Sequence, residues 1–159
     1  MFEIDGITKE GQKIPYEVRA VPIKENKKIV AIQANLRNIE ERRQVEHTLF
    51  KSEEHYHTLF QLSPSGILLE DSKGRILDVN PAFCQSLGYN RKELIGKDVQ
   101  VIVHPEYVDR IEPNIKRLMS GEFLKHVVKS LRKDGGYCYM QLNEKKISLP
   151  DGQDGILCI

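Results

Sequence analysis

The chain has 159 residues, enough for one domain with a sizeable core plus an accessory segment. Its 24 Lys and Arg stand against 23 Asp and Glu, a net charge of +1 that gives no electrostatic reason to expect nucleic acid or an anionic membrane surface as the main partner. No apolar run reaches a bilayer span, the first residues lack a basic-then-apolar signal, and the scattered Cys84, Cys138 and Cys158 form no Cys-x-x-Cys, so a cytoplasmic protein with inert, core-type thiols is predicted.

In chain order, residues 1–37 read as three strands, over about 2–8, 13–22 and 29–37, joined by turn chemistry at Lys9–Glu10–Gly11 and Lys24–Glu25–Asn26–Lys27. This segment repeats later. Glu10–Gly11–Gln12–Lys13–Ile14–Pro15–Tyr16–Glu17–Val18 sets residue for residue against Asp134–Gly135–Gly136–Tyr137–Cys138–Tyr139–Met140–Gln141–Leu142. Ile14, Tyr16 and Val18 match Cys138, Met140 and Leu142, the alternation of a β-hairpin around a Gly turn. Residues 1–37 are therefore the last third of one unit, and 63–159 nearly all of the next.

Between the copies, 38–62 reads as a linker helix, with Asn38 as cap and Glu41 as the reciprocal half of a capping box. Val45, Leu49, Tyr56 and Leu59 recur at heptad spacing along one seam, while the other faces are charged. Such a seam either packs on its own domain or pairs with a second copy in a homodimer, and both can hold in one dimer.

The second unit opens with a strand at Ile67–Leu68–Leu69–Glu70, a turn at Asp71–Ser72–Lys73–Gly74 and a paired strand at Arg75–Ile76–Leu77–Asp78–Val79. Asn80–Pro81 caps and starts a helix that Gly88 ends. Asn90 with Glu93 caps a second helix closed by Gly96, and His104–Pro105 begins a third with a kink or restart at Pro113. Strands near 123–133, 136–149 and 155–159 complete the order β-β-α-α-α-β-β-β. That order predicts an α+β fold, one antiparallel sheet with helices over one face. Period-two and helical patterning converge on an inward, cavity-facing set of Ile67, Leu69, Phe83, Leu87, Val108, Ile111, Leu118, Val128 and Met140.

Several strings resemble the PAS family. The run from Asp71 to Phe83 looks like that family's opening hairpin and first helix. Leu87–Gly88–Tyr89, Glu93–Leu94–Ile95–Gly96–Lys97 and His104–Pro105–Glu106 look like its following signatures. Asn38–Ile39–Glu40–Glu41–Arg42–Arg43, with Ser52 to Phe60, resembles the helix joining tandem PAS units, with Asn38 and Glu40 where the family usually has Asp and Thr. The resemblance implies a five-stranded antiparallel sheet preceded by a linker helix and three strands of a truncated preceding unit. It also implies a sensory module beside further sensor and output domains.

PAS relatives hold haem, flavin, small metabolites or nothing between sheet and F helix. Haem-binding relatives place a His within that helix, and 106–119 contains none. Photochemical flavin relatives place a Cys after the short helices, and Lys97–Asp98–Val99–Gln100–Val101 has none. No haem, photoactive flavin or metal is expected, although a small apolar metabolite is compatible with the cavity. His104 reads as a helix-starting residue, His55 and His57 as solvated, and His47 lacks the flanking residues of a phosphoacceptor. Cys84 reads as a buried thiol, Asp78 and Asn80 have no nucleophile beside them, and Gly135–Gly136 is a hairpin turn. No catalytic constellation assembles. A signal-sensing and dimerisation module leads, a metabolite-binding sensor follows, and an enzyme comes last, since a histidine kinase or cyclase would need a domain outside this chain.

Overall fold

The computed structural model describes residues 1–159, which divide into two compact units, Met1–Tyr56 and His57–Ile159. The division falls inside the expected linker helix rather than at either end of it.

The first unit is a meander of β1 (Phe2–Ile7), β2 (Lys13–Glu25) and β3 (Lys28–Asn38), with neighbours antiparallel. Strands β2 and β3 run longer than the sequence suggested. Asn26 and Lys27 both take positive φ, 50° and 65°, so two residues suffice for the turn, and this backbone matches the twist of the flanking strands. Helix α1 (Glu40–Leu62) follows, and Asn38 Oδ1 accepts from the Glu40 amide at 2.8 Å. Ile39 is buried, with its amide donating to Pro15 O at 3.0 Å. Glu3 on β1 accepts from both Arg42 and Arg43 in the first turn of α1.

The second unit begins with the end of α1 and a hairpin of β4 (Leu68–Asp71) and β5 (Ile76–Val79). Its helices are α2 (Pro81–Leu87), α3 (Arg91–Leu94), a 3₁₀ turn at Val99–Ile102, α4 (Pro105–Val108) and α5 (Ile111–Met119). Strands β6 (Leu124–Leu131), β7 (Tyr137–Ser148) and β8 (Asp154–Cys158) close an antiparallel sheet of order β5-β4-β8-β7-β6. The third expected helix is two. The break falls at Asp109–Arg110, upstream of Pro113, which thereby sits in the first turn of α5 where its missing N–H interrupts nothing. The main core gathers Leu68, Ile76, Val79, Phe83, Leu87, Leu94 and Ile102, while Leu118, Leu124 and Ile156 form a smaller cluster.

Candidate functional site

The architecture leaves a cavity of about 70 Å³ between the inner face of the sheet and helices α4 and α5. Since a water needs roughly 10–15 Å³, the space suits a few waters or a small organic molecule. Phe83, Ile111, Val128 and Met140 from the expected set line it.

The other five residues lie elsewhere. Leu69 is corrected to the opposite face, and Ile67 is corrected to a position before the strand that does not line the cavity. Strand β4 pairs Leu68 with Val79 and Glu70 with Ile76, and a bulge lets Ile76 and Val79 both turn inward despite their three-residue spacing. Leu68 and Glu70 share that inner face, whereas Leu69 sits across from Asp78 and Leu157 on the outer one. Ile67 precedes β4, and its amide donates to Asn80 Oδ1 at 2.8 Å. Leu87 is fully buried in the main core, away from the cavity, because α2 packs its inner end on α3 and the hairpin. Leu118 belongs to the smaller cluster. Val108 borders an outer groove with Asp98 and Glu112, because on α4 it is the neighbouring Tyr107 that takes the cavity side.

The polar side of the cavity was not foreseen. Glu70, His126, Glu144, Ser130, Arg110 and Asn114 line it together with the apolar wall. His126 Nε2 and Glu144 Oε2, from neighbouring strands β6 and β7, lie 2.7 Å apart. Glu70 is 5% exposed. Burial, reinforced by the negative charges of Glu144, Asp71 and Asp98, pushes its carboxyl up to about 8. The Cys158 thiol, on the same inner face, is held well above its ordinary range by burial and then by Glu144 and Glu70, so it is inert at neutral pH. Burial also raises the Cys84 thiol.

Asn80 joins the cavity wall to α1. It is fully buried and uses its whole amide group. Oδ1 accepts from the amides of Ile67 (2.8 Å) and Phe83 (2.9 Å), and Nδ2 donates to Phe60 O (3.1 Å) and Ser65 O (2.9 Å). One side chain thus holds the end of α1, the approach to β4 and the cap of α2, which carries Phe83. The Asn-Pro string gave the cap; the other three bonds need the tertiary fold.

His104 caps α4, its Nδ1 accepting from the Glu106 amide at 3.4 Å, and it lies outside the cavity. The helix seam residues Val45, Leu49, Tyr56 and Leu59 are all exposed, at 58–62%. No helix is long and apolar enough to cross a membrane.

Comparison with known proteins agrees with this geometry. A family model described as PAS fold matches residues 54–159, and one described as PAS domain matches 1–41. The chain is 35% identical over 72 residues to "Probable diguanylate cyclase DgcE" of Escherichia coli (strain K12), covering 45% of this chain and 6% of that protein. It is 31% identical over 71 residues to the sensor histidine kinase TmoS of Ectopseudomonas mendocina, covering 45% of this chain and 7% of that one. The chain therefore spans only a small part of the curated relatives it matches. Among solved structures, a domain of the sensory box sensor histidine kinase/response regulator from Geobacter sulfurreducens is similar at 29% identity. Its TM-score is 0.59, over 69% of this chain and 95% of that one. A model matching more than half of the chain, on a five-stranded sheet with helices over its inner face, shows that this chain belongs to the PAS family of sensory domains.

Proposed function

We propose that the chain is an intracellular signal-sensing and dimerisation module that takes up a small molecule in the cavity and passes the resulting shift to neighbouring domains through α1. The Asn80 clamp carries this reading. Any displacement of α2 by cavity contents pulls on the same side chain that holds Phe60 O, and a fully satisfied buried network transmits rather than absorbs such a shift. The chain itself catalyses nothing in this reading. A kinase or cyclase output, of the kind named in its relatives, belongs to other parts of a two-component or related signalling protein. Haem and photoactive flavin are not its cofactors, because α5 offers no His and 97–101 no Cys. Native mass spectrometry of freshly purified protein tests the reading. A small molecule retained on the native chain and lost on denaturation is expected, whereas a bare native chain that also takes up no added small molecule contradicts it.

Dimerisation rests on a second observation. The seam of α1 and the apolar residues of β1 to β3, among them Ile4, Ile29 and Ile32, are exposed in the single chain. Each such side chain left in water forgoes about 1.5–3 kcal/mol of burial. A second copy covers them in the proposed homodimer.

A further inference from the structure

Resting on that sensing reading, we propose that the cavity takes a short alkylammonium ion, its charge on the Glu70 carboxylate and its tail against the apolar wall. The Glu70 side chain lines the cavity and is 5% exposed, and neither a hydrogen bond nor an ion pair ties its carboxyl to the chain. No side-chain oxygen of the chain is sealed from solvent without a hydrogen-bond partner, so the unpaired Glu70 oxygens open onto the cavity, where a ligand can complete them. The charges acting on it are all carboxylates, Glu144 first and then Asp71 and Asp98, and this field repels anions and attracts cations. His126 engages Glu144, leaving Glu70 as the open group, and Arg110 at the rim lies over the Tyr107 ring, 4.5 Å from its centroid.

An organic cation fits better than a metal ion. No three His, Cys, Asp or Glu side chains converge in a metal-binding arrangement, and the carboxylates on the wall fall short of the ligand number a hard divalent ion takes. A compact ammonium has three donors, suited to one carboxylate and the polar groups around it. Leu68, Phe83, Val99, Ile111 and Met140 supply an apolar wall for a chain of a few carbons, and about 70 Å³ admits little more.

Binding is coupled to a proton. Glu70 is neutral in the empty cavity at neutral pH and ionises beside the cation, so its proton leaves to solvent. Binding therefore strengthens as pH rises from 6 toward 8.5 while the amine stays protonated.

Calorimetry on the full chain with propylammonium, propan-1-ol and propionate tests the assignment. Propylammonium is expected to bind at least tenfold more tightly than the other two, the scale of one charge-assisted contact in a buried site. Titration at pH 7 in buffers of different ionisation enthalpy should find close to one proton released. Glu70→Gln should remove that release and weaken the amine at least tenfold, with a thermal melt verifying that the variant is folded. Equal affinity for propan-1-ol, or unchanged amine binding in Glu70→Gln, overturns the cation assignment and leaves the sensing reading standing. No binding of any probe to protein that still carries a co-purified molecule does the same. No binding of any probe to protein that carries none overturns both.

Discussion

Two sheets built from matching hairpins meet different fates in this molecule. In the second unit, β6 to β8 turn one face toward helices, and Val128, Ile156 and Cys158 are buried there. In the first, β1 to β3 repeat the same hairpin chemistry with only α1 beside them, and Val18 and Ile39 are the buried hydrophobic residues of the whole segment. A three-stranded sheet has one apolar face to cover, and strand patterning alone cannot cover it. Period-two alternation specifies a sheet; a stable domain also needs the layer against which that sheet closes.

The largest effect that would sharpen the contrast lies at Asn80. Asn80→Ala leaves the amides of Ile67 and Phe83 and the carbonyls of Phe60 and Ser65 without their partner, in a position fully closed to water. A loss of about 4 kcal/mol in the urea unfolding of the second unit is expected, since each orphaned buried group costs about 1–3 kcal/mol before relaxation. A loss below about 1 kcal/mol would mean that the clamp is not structural. Next comes Leu87→Ala in the main core, expected to cost about 2–5 kcal/mol, against under about 0.5 kcal/mol for Ile32→Ala in dilute protein. Ile32 is 68% exposed in the single chain, so an equal loss at both sites on dilution breaks the comparison.

A smaller, pH-dependent effect belongs to Glu70. Its folded-state pKa, about 8, lies above the ordinary carboxyl value of 4.5, so between those limits the folded chain keeps a proton that the unfolded chain has released. The contribution is fully favourable below pH 4.5 and is lost as pH rises toward 8, by about 1.4 kcal/mol per pH unit at most. Glu70→Gln should therefore raise stability more at pH 8 than at pH 5 in parallel melts, and an equal shift at both pH values contradicts the burial argument. The least energetic change concerns assembly. Leu49→Glu places a charge on the exposed seam of α1, and light scattering should find a dimer converted to monomer with the fold unchanged by circular dichroism.

Much of the fold was legible in local chemistry. The Asn80–Pro81 cap, the Gly88 stop with φ of 77° and the Asp71–Gly74 turn all form where their residues predict them. The candidate site was legible only in part. Ile67–Leu68–Leu69–Glu70 offers two alternations, and hydropathy favours the one that keeps Glu outside. The bulge opposite Leu69 and Glu70 selects the other, and no local signal marks it. The polar wall went unseen for a related reason. Glu70 lies far in sequence from the β6–β7 hairpin that carries His126 and Glu144, and only the order β4-β8-β7-β6 places the three on one face. The reach of β3 to Asn38 and the break before Ile111 likewise depend on two-residue turn geometry and on packing, which periodicity does not encode.

The central proposal is that the second unit closes on itself while the first is covered by a partner. Residue-resolved hydrogen exchange across a dilution series tests it most directly. The account predicts protection in β4 to β8 that does not change with concentration, and protection in β1 to β3 that falls as the protein is diluted. Protection of β1 to β3 that equals that of β6 to β8 at every concentration would contradict it.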